Sequence, residues 1–443
     1  MKRLILLVLY SITTSLSAQN VLSIYNMRHI PQVVYANPSF IPLGRVNVSI
    51  PGLGSTYAQV GKSAFVTQGV ANVDANGTLR LDVDKFLNGL EDENLVYGGT
   101  SIEALHVGFS AGKNYIFFAS NDKISADFEF PKSLAILISE VYEDLGIPNG
   151  YHRIDDTKVQ YTHVREYSVG WARRINKDLN VGVRFKLLSG IANIRTNSTG
   201  IVIDSATADN ELSGLININM QTSGITELTD DPLRAVAGYS NYGYALDFGF
   251  DYRINQKFKI AASVLDLMGT VKWKDNINNY EAENVRVDFN TVDWASIINP
   301  GSGNGFGAIY DSIVENVDPN AVKTPYETHT PTKVIASGTY FITPKIEATV
   351  VGEGLFAPDF FQPYVRVGIQ GRVKRFLNYM ISYSIVDDRE DFKNLGVGFA
   401  INLGPFQLHA LTDNIFDPYI TSYKNFNPSV RAGINLTIGR DYE

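Results

Sequence analysis

The sequence predicts an all-β protein, a 14-stranded antiparallel transmembrane β-barrel with short periplasmic turns and long extracellular loops. Three observations predict it. Stretch after stretch alternates bulky apolar residues with small or charged ones, which is the two-residue period of a strand. Six tight connections join these stretches in pairs, as antiparallel hairpins require. Past the N-terminus, no run approaches the roughly 20 apolar residues of a membrane-crossing helix.

The first residues, "MKRLILLVLYSITTSLSAQN", have the form of a secretory signal peptide over 1–18. Lys2 and Arg3 give a basic start, Leu4 to Tyr10 a short apolar run, and cleavage is expected near Ala18 or Gln19. Residues 19–43 carry Tyr25, Tyr35 and Phe40 but almost no charge apart from Arg28. That composition suits a plug or hatch inside the barrel, or a short chain packed across its periplasmic rim. The barrel is then expected over 44–439, with a tail at 440–443 and both termini periplasmic.

The stretch "YGYALDFGFDYRI" shows the pattern in full. Tyr242, Tyr244, Leu246, Phe248, Phe250, Tyr252 and Ile254 share one face. Gly243, Ala245, Asp247, Gly249, Asp251 and Arg253 share the other. A soluble sandwich would bury the bulky face, whereas a membrane barrel turns it to lipid. Tyrosines at the ends with Leu246, Phe248 and Phe250 between them match an aromatic girdle around a hydrocarbon band. "LNVGVRFKL", "VRVGIQGRV", "LNYMISYSI", "LGVGFAINL" and "VRAGINLTI" repeat the alternation.

The six turns fall near 112–113, 176–177, 255–256, 343–344, 374–375 and 404–405. Two of them read alike, "RRINKDLNV" and "YRINQKFKI". They supply twelve strands; "RVNVSI" precedes them and the strand from Arg431 follows, giving fourteen. Four connections are long, about 51–101, 122–156, 193–241 and 269–330. Three are short, near 355–361, 388–391 and 414–428. Within the long ones, 131–146 reads as a helix, with Pro131 in its first turn and Leu134, Leu137, Ile138, Val141 and Leu145 as an apolar stripe. "IVIDSATADNELSGLININ" reads as a hairpin above the membrane, closed near 206–210, and 293–299 and 311–317 read as short helices.

The motif "YANPSFIP" before the first strand resembles one in the FadL-type family of fourteen-stranded outer-membrane transporters. In that family an Asn-Pro-Ala motif lies in an N-terminal hatch. The resemblance implies that Asn37, Pro38, Ser39 and Phe40 belong to a hatch, with Ser39 departing from the family alanine. The wider group includes barrels of the type IX secretion apparatus, and this chain is most similar to its uncharacterised members.

Composition narrows the function. The net charge is −8, and no basic stripe points to nucleic acid. Cysteine is absent, which excludes disulfides, thiolate metal sites and cysteine nucleophiles. "VGKSAF" resembles a P-loop ending at Gly61, Lys62 and Ser63, but Thr56 stands where a glycine is required. "DVDKF" and "VDANG" lack the spacing of a calcium loop. Six histidines, His29, His106, His152, His163, His329 and His409, fall in no catalytic motif. The expectation is no enzyme, no catalytic residue, no metal and no cofactor.

The inward faces carry the candidates. Arg184, Lys186, Asp247, Asp251, Arg253, Lys259, Glu347, Arg366, Arg372, His409 and Arg431 are expected to face the lumen. Charges of both signs there are either cross-bracing ion pairs or a polar constriction that filters a solute. The expected function is passive transport of a small or hydrophobic solute across the outer membrane. The alternative is a barrel anchor for a secretion or surface-assembly complex, and an outer-membrane hydrolase is a distant third. Expected partners are outer-membrane lipid, the barrel-assembly machinery during biogenesis, the solute and secretion-complex proteins.

Overall fold

The computed structural model describes residues 22–63, 70–73, 79–144, 151–204, 213–225, 228, 240–288, 322–357, 360–386, 394–416 and 426–440. The expected signal peptide, the expected hairpin closure at 206–210, most of "VDANG" and the helices expected at 293–299 and 311–317 lie outside the described residues.

Fourteen antiparallel strands form the wall. The first, β1, comes in two pieces, Val46–Ser49 and Thr56–Ser63, separated by a turn. Next come β2 (Glu93–Ala111), β3 (Asn114–Pro131), β4 (Lys158–Arg174) and β5 (Leu179–Asp204). They are followed by β6 (Asn241–Arg253), β7 (Phe258–Trp273), β8 (Thr332–Thr343), β9 (Ile346–Ala357) and β10 (Phe360–Val373). The last four are β11 (Leu377–Val386), β12 (Leu395–Leu403), β13 (Phe406–Thr412) and β14 (Ser429–Ile438). Each strand pairs with the next, and β1 closes on β14 with Val46 opposite Ile438 and Ser49 opposite Asn435. Closure leaves no unpaired edge, so every ladder hydrogen bond is met without water.

The six turns sit where the alternation breaks, and side chains fix their form. Asn176 Oδ1 accepts the N–H groups of Asp178 and Leu179, both at 2.8 Å. Asn255 does the same for Lys257 at 2.8 Å and Phe258 at 3.0 Å. The two similar sequences are thus one Asx-type turn used twice. Thr343 Oγ1 plays that part for Lys345 and Ile346 at 3.1 Å each.

The bulky face points out. On β6, Tyr242, Tyr244, Phe248, Phe250 and Tyr252 are exposed, while Ala245, Asp247 and Asp251 are buried. The same holds on β5, where Val183, Phe185 and Leu187 are exposed and Arg184 and Lys186 buried. A single closed sheet with its apolar face outward and its charges inward is a transmembrane barrel, not a sandwich. Among the described residues no helix is long and apolar enough to cross a membrane.

Several strands run far past the bilayer. β5 has 26 residues, against the roughly 9–11 that a tilted crossing needs. Its upper part pairs with Ser213–Ser223, which pairs in turn with Ile277–Asp288, and Tyr151–Asp155 flanks its other side. This corrects the expected loops. Thr56–Ser63 continues β1, β3 runs on to Pro131, and β2 begins at Glu93. Above the membrane the ladder is held by backbone hydrogen bonds, so the strands continue after lipid no longer imposes an outward apolar face. The helix is Lys132–Asp144, and Pro131 ends β3 rather than opening that helix. Leu137 packs with Ile154, Ile203, Ile216 and Ala282, which docks the helix on the extramembrane sheet. Asp82 of "DVDKF" caps the helix Val83–Gly89, accepting the Lys85 N–H at 2.9 Å.

Candidate functional site

The site is built from the lumen faces of the strands and from the N-terminal segment that packs against them. That segment contains a single helical turn, Leu22–Tyr25, and a 3-10 turn, Pro31–Tyr35. Ile24, Tyr25, Met27, Ile30, Val33 and Val34 are all at most 1% exposed. Their partners come from wall strands around the barrel. Tyr25 Oη lies 2.6 Å from Ser337 Oγ on β8. Gln32 Nε2 donates to Glu103 on β2 at 2.9 Å and to Asn435 on β14 at 2.8 Å. Tyr35 Oη donates to Glu103 at 2.5 Å and lies 3.0 Å from His106 Nδ1. Gln407 on β13 donates to the His29 carbonyl at 2.9 Å.

Asn37, Pro38, Ser39 and Phe40 are all buried at the wall of β5 to β7. Asn37 Nδ2 donates to the backbone carbonyls of Phe250 at 3.3 Å and Ala262 at 3.0 Å. Its Oδ1 accepts from the Ser39 N–H and hydroxyl at 2.9 and 2.7 Å, closing a small Asx turn. An alanine at position 39 would keep the first of these bonds and lose the second. Two wall glycines make the approach close. A Cβ on Gly182 would fall on the Pro38 carbonyl, and one on Gly249 would meet Asn37 Oδ1 and Pro38 Cδ. Phe40 packs edge-on to Tyr25 at 5.1 Å, with the Arg28 guanidinium 4.7 Å above its ring.

The inward charges form three groups. Arg184, Lys186 and Asp247 meet at the centre. Arg184 donates through Nε to Asp247 at 2.5 Å, and its Nη2 pairs with the same carboxylate. Lys186 Nζ lies 2.9 Å from Asp247, 2.6 Å from Asp266 and 3.9 Å from Glu166. Lys123 adds a 2.7 Å pair to Glu166. A second group joins Lys259 to Asp251 at 2.7 Å, with Arg28 of the segment 3.9 Å away. The third is Arg366, fully buried, donating to Asp413 at 2.6 Å and Ser384 at 2.8 Å.

The remaining candidates are separate from these. Glu347 accepts a hydrogen bond from Gln370. His409 lies 3.4 Å from Asn435 Nδ2, beside the Gln32 network. Arg431 reaches Ser55 at 3.1 Å and stacks over Tyr57. Arg372 is half-buried. Arg253 is exposed at the short-turn mouth, its guanidinium 5.0 Å from the Phe341 ring.

Sequence reasoning missed Asp266, Glu166, Glu103 and Lys333. Asp266 shares the outward parity of Ile260 and Val264. Two register shifts between β6 and β7, with φ of 58° at both Asp266 and Met268, turn it inward beside Leu265. Its N–H then donates to Asp247 Oδ1 at 2.7 Å, so one carboxylate serves both the bulge and the ion cluster. Glu166 needs no such bulge: it shares the inward parity of Ser168, Gly170 and Ala172 on β4, which are all buried.

Outside the membrane-crossing strands, three groups of the segment are shifted, and burial raises the first of them, the Tyr25 hydroxyl. Burial, and next the Glu103 carboxylate, hold the Tyr35 hydroxyl protonated far above its usual range. Burial and the nearby Arg372 and Arg28 guanidiniums push the His29 imidazole down to about 4.

Two cavities lie along the lumen. One, about 170 Å³, is lined by Ile124, Val164, Leu188, Val271 and Leu355 together with Lys123, Glu166, Asp266 and Lys333. The other, about 40 Å³, shares those four charged residues and reaches Ile24 and Tyr35 of the segment.

A family model described as "Family of unknown function (DUF5723)" matches residues 38–413. The chain belongs to that family. No curated protein matches it. Among solved structures it is similar to the Ralstonia pickettii toluene transporter TbuX, with a TM-score of 0.48 and 9% identity over 92% of this chain and 94% of that one. It is also similar to a Pseudomonas aeruginosa FadL homologue, TM-score 0.42 and 10% identity over 93% and 95% of the two chains. The Pseudomonas putida toluene transporter TodX gives a TM-score of 0.38 and 9% identity over 93% and 92%.

Proposed function

We propose that this barrel lets a small, partly apolar solute cross the outer membrane passively, and that residues 22–43 act as its hatch. The observation that carries this reading is a pair of neighbouring cavities that share Lys123, Glu166, Asp266 and Lys333. The larger has an apolar wall and a charged base, and the smaller ends on Ile24 and Tyr35 of the segment. A solute would enter from the long-loop end and lay its apolar part against Val164, Leu188, Val271 and Leu355. Lys123 and Lys333 would meet a polar or anionic group. Passage past the segment needs a local shift. The segment is held by side-chain hydrogen bonds, the Arg28–Asp251 pair and the burial of Ile24, Met27, Ile30, Val33 and Val34, none of which belongs to the wall's own backbone ladder, so it can shift without opening the wall.

Conductance and solute uptake in reconstituted vesicles test this reading with Asn37→Ala and Asn37→Ala/Pro38→Gly. Folded variants should leak more than wild type. Leak and uptake equal to wild type would refute the hatch. A second reading, an anchor for a surface-assembly complex, is favoured by the extramembrane sheet on the 26-residue β5. Cross-linking in the native membrane that captures one stoichiometric protein on that sheet would move the function to anchoring.

A further inference from the structure

The short-turn rim carries a charge opposite to that of the chain. The six turns span 112–113, 175–178, 254–257, 344–345, 374–376 and 404–405. They contain six basic residues, two of them Lys374 and Arg375 in one turn, and a single acid, Asp178, while the whole chain is at −8. Five of the six turns contain a cation. The sixth, Gly404-Pro405, has none of its own, but Arg440 covers it: Nη1 donates to the Gly404 carbonyl at 2.5 Å and Nη2 to those of Pro405 and Phe406 at 3.4 Å.

Five of the six regions of this ring border lipid-facing side chains. Ile175, Ile254, Ile342, Phe376 and Phe406 are 44–52% exposed and lie within three residues of a turn cation or of the Arg440 contacts. The cations are therefore held where the apolar belt ends, which is headgroup depth. Beside Arg375 and Arg440 a cleft of about 450 Å³ opens, with Phe376 on its lipid side and Asn402 and Thr437 behind.

We propose that this rim binds anionic phospholipid headgroups, with the cleft between Arg375 and Arg440 as its principal site. Charge selects the lipid: the Arg375 and Arg440 guanidiniums place two positive charges beside a phosphate, and the acyl chains continue onto Phe376 and Ile438. A soluble protein would have to displace lipid from these apolar neighbours to reach the cleft from the side. Lipid binding at the rim depends on the outer wall alone and not on whether a solute crosses the lumen.

Native mass spectrometry of the full chain, folded in a neutral detergent with equal phosphatidylglycerol and phosphatidylcholine, tests it. Wild type should retain phosphatidylglycerol in preference by at least about fivefold, the factor for one basic residue near a membrane surface. Arg375→Gln/Arg440→Gln should lose most of that preference. Lys177→Gln/Lys257→Gln, which leaves the Arg440 contacts intact, should weaken it and covers the case where the first variant fails to fold. Equal retention of both lipids by wild type would overturn the proposal, as would full preference in both folded variants. A periplasmic protein held at fixed stoichiometry with no lipid preference would also overturn it, making the rim a protein dock.

Discussion

One wall glycine and one lysine carry more of this structure than their size suggests. Gly182 admits the Pro38 carbonyl to a place where any Cβ would collide with backbone, whereas a Cβ on Gly352 meets nothing within 4 Å. Gly182→Val should therefore displace the N-terminal segment from a barrel that still folds, raising single-channel leak, and Gly352→Val should leave leak unchanged. Lys186 is flanked by three carboxylates, from Asp247, Asp266 and Glu166. Lys186→Met would strand those charges in the interior, so urea unfolding in vesicles should show a loss of about 3–5 kcal/mol. His29 gives a pH dependence. Its folded value, about 4, lies below the unfolded 6.5, so between those values only the released segment takes up the proton. Hold on the segment is full above pH 6.5 and falls as the pH drops towards 4. Leak should rise over that window, and His29→Gln should flatten the rise. Alternation put Arg184, Lys186 and Asp247 on the inward face, and the register, with Asp247 opposite Arg184, is what brings them together. Alternation could not place Asp266, because a bulge changes parity without leaving a mark in composition.

At the scale of elements, turn chemistry was readable and strand length was not. Asn176 and Asn255 each cap two N–H groups, which is a local arrangement within four residues. Asn176→Ala should cost about 1 kcal/mol in the same unfolding measurement, since it frees two donors at an exposed turn where water replaces part of the loss. The helix Lys132–Asp144 announced itself by its stripe, but its partners were not readable. Leu137 sits among Ile154, Ile203, Ile216 and Ala282, from four strand segments distant in sequence. Leu137→Asp should open that cluster by about 2–5 kcal/mol and speed amide exchange in 213–223 and 277–288, while the membrane-crossing ladders keep their protection. The strands outlast their apolar alternation because a ladder is held by backbone groups, and backbone groups are the same in every residue.

For the whole molecule, lipid is the outer half of the core. Phe248 is 44% exposed on a face that no other element covers among the described residues, while Asp247 beside it is 0% exposed. The sequence by itself determined the barrel, its fourteen strands, its six turns and which face meets lipid. Those properties follow from two-residue periodicity, from local turn chemistry and from the rule that a bilayer leaves no backbone group unpaired, all of which act over short spans. Tertiary structure alone decided how the lumen is filled. The cavity lined by Leu188 and Lys333, the seat of Asn37 on the carbonyls of Phe250 and Ala262, and the inward turn of Asp266 depend on which strands closure brings face to face. They also depend on bulges that shift the register by a residue, and no one-dimensional pattern encodes a contact made across a barrel.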